Sequence, residues 1–235
     1  MKIINKTING RFVKRLNRFE GIVDINGREA LVHIPNTGRC RELLFQGASV
    51  LLEVRESKTR KTPYELIMVY KDDKLISIDS QVPNKIVEEA VRGGLIEEIR
   101  GYEYVRKEAF YRQSRFDLLL KKTETSEKNE SCYIEVKGVT LEIEGTALFP
   151  DAPTERGARH MRELAAARRE GYRAAVIFLV QMDDIKVFSP NKLMDCNFAE
   201  ALSFARSEGV EVYSYNCRVS EGEIVINERV KVYMS

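Results

Sequence analysis

Two short apolar segments of the chain carry charged residues that a buried strand does not normally hold without a reason. In residues 131–139 these are Glu135 and Lys137, which stand two positions apart and therefore point to the same face of a strand. In residues 114–120 the charged residue is Asp117, which lies among phenylalanine and leucine. If the two strands pair, two carboxylates and one ammonium group meet at the edge of a sheet. Such a group suits Mg²⁺ or Mn²⁺ and an activated water molecule.

An aspartate followed at some distance by Glu-x-Lys also resembles the signature of the PD-(D/E)XK nucleases. On this interpretation Asp117 and Glu135 bind the metal ion, and the carbonyl of Val136 adds a third oxygen ligand. Lys137 orients the attacking water and offsets the charge that develops on the phosphoryl group. The alternative is a solvated Glu–Lys ion pair, which contributes at most ~1 kcal/mol and has no catalytic meaning.

Three further side chains are candidates for a supporting role. Arg115 stands two positions before Asp117, so it shares the same strand face and can contact phosphate or pair with a carboxylate. Arg156 and His160 are four positions apart in a predicted helix, so they lie on one face that can turn toward the carboxylates. A solvated helix face is the alternative for this second pair.

Residues 1–80 are predicted to form the first domain, a small closed barrel. Five short apolar segments with strand composition fall within about 70 residues, and Asn26-Gly27 is typical of a two-residue hairpin turn. Five strands of this length favour the OB-fold. An SH3-like barrel produces almost the same pattern and stays open as an alternative.

Basic residues in this first domain form two clusters, which make it a candidate nucleic-acid-binding module. The domain has a net charge of +5, whereas residues 81–235 have a net charge of −3. Lysine and arginine side chains neutralise phosphates, so we expect double-stranded DNA as the partner. A solvated strand face is the alternative. The candidate DNA-binding residues are Arg11, Lys14, Arg15, Arg18, Lys58, Arg60 and Lys61.

Residues 81–235 are predicted to form the second domain. Apolar spacing predicts helices at residues 85–93 and 154–170, with three strands between them. A fully apolar strand at residues 174–181, another helix and another strand follow. This αβββαβ order matches the core of restriction-endonuclease-like folds, in which the acidic residue of the second strand and the Glu-x-Lys of the third converge. The predicted fold class is therefore an α+β or α/β chain with an OB-like barrel followed by a nuclease-like domain.

Composition excludes several other classes. The 235 residues are 43% hydrophobic and 31% charged, and no apolar run approaches the ~18 residues of a membrane span. The four cysteines form no CxxC pair, and the two histidines are too few for a multi-histidine metal site. We therefore expect a cytoplasmic protein with reduced thiols and no membrane association.

Four segments together resemble one family, the sugar fermentation stimulation protein A family. They are residues 32–38, residues 114–117, residues 133–141 and residues 149–157 with His160 and Leu164. The resemblance implies an OB-like N-terminal domain, a nuclease-like C-terminal domain and DNA binding with little sequence preference. It also implies a role in regulating sugar use.

Two functions remain open at this point. The first is metal-dependent hydrolysis of DNA phosphodiesters at Asp117, Glu135 and Lys137. The second is a non-catalytic DNA-binding regulator of sugar metabolism that retains the nuclease core as a scaffold; it needs the basic clusters and not the metal ion. A small-molecule enzyme of sugar metabolism has only the family name in its favour.

Overall fold

The computed structural model describes residues 1–38, 40–55, 61–72 and 74–234 of the chain. Its N-terminal strands are β1 (Thr7–Arg15), β2 (Glu20–Ile25), β3 (Arg28–His33), β4 (Ser49–Val54), β5 (Tyr64–Lys71) and β6 (Lys74–Ser77). The first five follow the order β3–β2–β1–β4–β5, and a pairing between β3 and β5 closes the ring. The short strand β6 adds to β5. The structure confirms the predicted OB-like barrel.

Local sequence explains the barrel's tightest turn. Asn26 and Gly27 join β2 to β3 with φ angles of 54° and 82°, the left-handed backbone that these two residue types adopt most readily. The turn fixes the register, in which Ile25 lies opposite Arg28. Apolar side chains such as Phe12 and Val23 consequently point into the barrel and are buried.

The second part of the chain is a mixed α/β domain. Its elements are α1 (Val82–Arg92), β7 (Tyr104–Tyr111), β8 (Ser114–Lys121), β9 (Ser131–Val139), β10 (Leu141–Ile143), β11 (Thr146–Phe149), α2 (Glu155–Arg169), β12 (Arg173–Val180), β13 (Val187–Pro190), α3 (Cys196–Ser207), β14 (Glu211–Val219), β15 (Ile224–Arg229) and β16 (Lys231–Val232). The main sheet has the order β15–β14–β12–β9–β8–β7. Strand β12 runs parallel to both β9 and β14, whereas β7, β8 and β9 form an antiparallel meander. The predicted helix and strand order is confirmed.

One feature of this domain differs from the prediction. The apolar pattern of the sequence predicts a single third strand over residues 132–143, but β9 ends at Val139. The residues that follow form β10 and β11, which join β13 and β16 in a second, small sheet. These strands have only two to four residues each, too short for a periodic pattern to show in the sequence.

The long helix α2 begins where the sequence predicts. The side-chain oxygen of Thr154 accepts a hydrogen bond from the backbone N–H of Gly157 at 3.0 Å, which satisfies one of the free donors of the first turn. Asp195 caps α3 in the same way, and its second oxygen accepts from the backbone N–H of Thr154 at 2.7 Å. This shared aspartate fixes α2 against α3 and hence holds α2 over the sheet.

The barrel and the α/β domain are in direct contact. The backbone N–H of Ser77 in β6 donates to the carbonyl of Gln181, which follows β12, at 3.0 Å. Lys71 of β5 forms an ion pair with Glu142 of β10 at 2.8 Å. Within the described ranges, no helix is both long and apolar enough to cross a membrane.

Candidate metal centre

Strands β8 and β9 separate at the point where the predicted carboxylates lie. Their pairing ends at Leu118 and Ile134, and beyond it Asp117 bonds the next strand through its side chain. Oxygen Oδ2 of Asp117 accepts a hydrogen bond from the backbone N–H of Val136 at 2.7 Å. The N–H and C=O of one strand residue point to the same side, so the carbonyl of Val136 also faces β8.

Glu135 is a buried carboxylate with one occupied and one free oxygen. Its side chain is only 4% exposed. Oxygen Oε1 accepts hydrogen bonds from Nζ of Lys137, at 2.5 Å, and from Nδ1 of His160. Oxygen Oε2 is buried and accepts no hydrogen bond from any residue that the structure describes. An ionised carboxylate oxygen without a partner is costly, so this atom is available to a ligand.

The charge of Glu135 depends on these two donors. Burial has the largest single effect on the pKa of Glu135 and acts to raise it. The positive charge of Lys137 and the hydrogen bond from His160 together outweigh burial, and the pKa lies below the ordinary value of a glutamate. The carboxylate is therefore ionised at neutral pH.

His160 lies between Glu135 and Arg156. Its Nε2 accepts a hydrogen bond from Nε of Arg156 at 3.3 Å, and its Nδ1 donates to the ionised carboxylate of Glu135, which can only accept. The imidazole is 2% exposed and Arg156 lies at the surface. The structure thus places both predicted helix residues beside the carboxylates, with His160 in direct contact and Arg156 acting through it.

The pKa of Asp117 is raised, whereas that of the neighbouring Glu135 is lowered. Burial, followed by the negative charge of Glu135, raises the pKa of Asp117 from 3.8 to about 6. The hydrogen bonds from Val136 and from Asn84 oppose this rise but do not cancel it. Two carboxylates that repel each other in a buried position are relieved by a proton or by a cation.

The donors at this point fit a hard divalent cation. No cluster of three or more histidine, cysteine, aspartate or glutamate side chains suited to a metal ion occurs among the described residues. The oxygens at hand are those of Asp117, Oε2 of Glu135 and the carbonyl of Val136. Two carboxylates and a carbonyl, completed by water, suit Mg²⁺ or Mn²⁺.

Asn84 is part of the site and was missed by the sequence interpretation. Its Nδ2 donates to Oδ1 of Asp117 at 2.7 Å from the first turn of α1. Together with the N–H of Val136 it fixes the orientation of the carboxylate. The only signal in the sequence is a polar residue directly after Pro83, where a helix begins.

The remaining predicted residues lie outside this centre. Arg115 is exposed and forms an ion pair with Glu108 at 3.2 Å, so the structure shows it bound to a carboxylate of its own hairpin. Exposed side chains in the barrel are Arg11, Lys14, Arg18 and Lys61. Lys58 and Arg60 lie outside the described residues. The assignment of these basic residues to DNA stays a prediction.

Arg15 has a structural role that the sequence interpretation did not include. Its guanidinium donates to the backbone carbonyls of Gly38 at 2.6 Å, Arg18 at 2.7 Å and Asn17 at 3.1 Å, and also to that of Asn36. It therefore fixes two loops of the barrel to β1. Replacement of Arg15 would therefore disturb the barrel itself, and its effect on DNA affinity would not isolate a phosphate contact.

We expect His160→Ala to lower the free energy of unfolding by about 2–4 kcal/mol at pH 7, because a buried carboxylate loses a donor. The pKa of Glu135 is depressed in the folded protein, so its stabilising effect is present above the unfolded pKa and is lost as the pH falls. The difference between variant and wild type should accordingly shrink toward pH 4. Urea unfolding at several pH values measures it.

The matched control is Arg156→Ala, which removes an exposed side chain that contacts His160 but not Glu135. We expect its free energy of unfolding to lie within about 0.5 kcal/mol of wild type. A difference for His160→Ala that stays constant from pH 7 to pH 4 would show that the histidine stabilises the fold through packing alone.

Comparison with known families covers both parts of the chain. The model of the SfsA N-terminal OB domain matches residues 13–78, and that of the sugar fermentation stimulation protein RE domain matches residues 81–223. A sugar fermentation stimulation protein homolog from Caldanaerobacter subterraneus subsp. tengcongensis is 56% identical over 234 residues, and one from Clostridium acetobutylicum is 47% identical over 234 residues. Each alignment covers 100% of both chains.

A solved structure supports the same relationship. Pyrococcus furiosus SfsA in complex with Ca²⁺ is 29% identical, has a TM-score of 0.88 and covers 99% of both chains. The likeness therefore includes the arrangement of the barrel and the α/β domain. By sequence and by structure, the chain belongs to the sugar fermentation stimulation protein family.

Proposed function

We propose that this protein hydrolyses DNA phosphodiesters with a divalent metal ion and with little preference for sequence. The observation that carries the proposal is the unpartnered Oε2 of Glu135, in a carboxylate kept ionised beside Asp117. The relative from Pyrococcus furiosus binds Ca²⁺, another cation that takes carboxylate and carbonyl oxygens. Mg²⁺ or Mn²⁺ is the ion that we propose for this chain.

Each residue of the centre has a separate task in this proposal. Asp117, Glu135 and the carbonyl of Val136 hold the cation, which when bound lowers the pKa of a water molecule and polarises the phosphoryl oxygen. Nζ of Lys137, 2.5 Å from Oε1 of Glu135, orients the attacking water and offsets the charge that develops on the phosphate. His160 keeps Glu135 ionised and leaves Oε2 free for the ion.

The barrel supplies the contact with the DNA backbone in this proposal. Its exposed basic side chains neutralise phosphates and bind every sequence equally well. Arg15 links this surface to the loop at Asn36 and Gly38, which faces the α/β domain at Asp151. We infer that residues 1–80 position the duplex and residues 81–235 carry the chemistry.

Plasmid cleavage tests this function. Wild-type protein should nick and linearise supercoiled DNA with Mg²⁺ or Mn²⁺ but not with EDTA. Asp117→Ala from a parallel preparation should be inactive at equal DNA affinity. DNA binding by wild type without cleavage, over a range of metals and substrates, would exclude hydrolysis.

That negative outcome corresponds to the second candidate, a DNA-binding regulator. One observation favours it: both oxygens of Asp117 and Oε1 of Glu135 already accept hydrogen bonds within the protein. The centre therefore has internal partners that hold a scaffold together without turnover. A regulator binds DNA equally well before and after removal of the metal ion.

The salt dependence of binding locates the DNA surface. Replacement of the exposed residues Arg11, Lys14 and Arg18 by alanine should reduce the slope of log affinity against log salt by about 0.9 for each lost phosphate contact. Fluorescence anisotropy with one labelled duplex over a series of salt concentrations measures both slopes. An unchanged slope would place the DNA contacts on the second domain.

A further inference from the structure

A cleft of about 230 Å³ separates the barrel from the α/β domain. One wall is the barrel loop at residues 36–38, which Arg15 and an Asn36 hydrogen bond to the carbonyl of Ile78 hold in place. The other wall is the chain that leaves β9, together with Gln181 after β12. By the same measure a water molecule needs ~10–15 Å³, so the cleft has room for a larger group.

The cleft begins where the metal centre ends. Gly138, which lines the cleft, directly follows Lys137 in β9. A Cβ atom at Gly138 would lie 2.7 Å from Cγ of Pro83 and 3.3 Å from Nε2 of Gln181. Only glycine fits there, and it lets α1, which carries Asn84, pack closely against the strand. Val139, which also lines the cleft, stands two positions after Lys137 and therefore shares its face of β9.

Gln181 points to a ligand in this cleft. The residue is 2% exposed, and both of its backbone groups are bonded, to Val139 and to Ser77. Its side-chain oxygen Oε1 is buried and accepts no hydrogen bond from the residues that the structure describes. A buried amide oxygen left without a donor costs about 1–3 kcal/mol, which a donor group of a ligand would recover.

The lining identifies the class of ligand. The polar residues around the cleft are Asn36, Thr37, Ser80, Thr140, Asp151 and Gln181. Among the residues that the structure describes, the lining includes no lysine or arginine that would bind a phosphate. Amides, hydroxyls and one carboxylate instead suit a neutral group with hydrogen-bond donors, such as the edge of a nucleobase.

We propose that this cleft receives one unpaired nucleobase of the DNA strand, next to the phosphate at Lys137. The proposal rests on the function proposed above and specifies its substrate. A base in an intact duplex must leave its stack to enter, which costs a few kcal/mol and costs least at a mismatch or a single-stranded position. The protein thus prefers DNA with an unpaired nucleotide, whatever the surrounding sequence.

Two otherwise identical duplexes test this. Each contains 2-aminopurine, a fluorescent adenine analogue, either paired with thymine or placed in a one-nucleotide bulge, and binding is measured with Ca²⁺. Wild type should bind the bulged duplex at least tenfold more tightly and change its fluorescence. Gln181→Leu should lose this preference while its affinity for the paired duplex stays within twofold of wild type.

A second variant tests the cleft proposal even if Gln181→Leu does not fold. Thr37 is exposed and lines the cleft, so Thr37→Trp fills the cleft from its surface side without entering the core. It should lose the preference, whereas Thr125→Trp, in an exposed loop that is not part of the lining, should keep it. Equal affinity of wild type for the two duplexes, or retention of the preference by Thr37→Trp, would overturn the cleft proposal alone. Failure to bind either duplex would overturn the proposed function as well.

Discussion

Replacing Lys137 with alanine is expected to slow DNA cleavage by roughly 10²–10³-fold, the usual effect of removing one donor that stabilises transition-state charge. DNA affinity should change by no more than about one phosphate contact, because a single positive charge is lost. The measurement is the cleavage rate of supercoiled and linear DNA with saturating Mn²⁺, alongside binding on the same preparations. A loss of rate at constant affinity separates catalysis from simple binding.

The local contacts of Lys137 require two controls. Lys137 is a partner of the buried Glu135, so the variant must be shown to be folded, and His160 still donates to the same oxygen. Lys186→Ala removes an exposed lysine that is also paired with a carboxylate, that of Glu228, and it should cleave at the wild-type rate. Cleavage that persists undiminished in Lys137→Ala would point to a contaminating nuclease.

Much of this centre was predictable because charged residues in apolar strands are rare. Asp117 and Glu135 stand out against their leucine and isoleucine neighbours, and the predicted order of helices and strands brings their two strands together. The capping residue Thr154 and the Asn26-Gly27 turn are likewise local signals, and the structure has both. The Thr154 cap and the Asn26-Gly27 turn are set within a few positions of the chain, and the pairing of β8 with β9 places Asp117 and Glu135 on adjacent strands.

The contacts that the sequence did not predict join distant elements. Arg15 cannot be told from Arg11 by composition, yet its guanidinium binds backbone carbonyls while Arg11 bonds Ser49 at the surface. Asn84 reaches Asp117 across 33 positions, and His160 reaches Glu135 across 25, a contact that the sequence left open beside the alternative of a solvated helix face. Such partners depend on how α1 and α2 pack on the sheet, which hydrophobic periodicity does not specify.

The free energy of unfolding should change with pH as Asp117 loses its proton. Its pKa rises from 3.8 to about 6 on folding, so the folded protein binds its proton more tightly than the unfolded chain does. The free energy of unfolding should consequently decrease by up to about 3 kcal/mol as the pH rises from about 4 to 7, since one pKa unit corresponds to 1.36 kcal/mol. Chemical unfolding of wild type without metal, compared with Asp117→Ala, isolates this contribution.

With a divalent cation present, the free energy of unfolding should instead increase with pH, because the cation binds the ionised carboxylate of Asp117 and competes with the proton. The affinity for Mn²⁺ should therefore rise steeply up to a pH of about 6 and level off above it. Asp117→Ala removes one of the two carboxylate ligands. It should weaken Mn²⁺ binding at pH 7 by at least about 10²-fold, more than the loss of a residue that only hydrogen-bonds to a ligand does. Calorimetry measures both, with Glu103→Ala as a variant that removes an exposed carboxylate elsewhere. Equal Mn²⁺ affinity in wild type and Asp117→Ala would place the ion outside this centre, and Lys137 would then have no metal-bound water to orient.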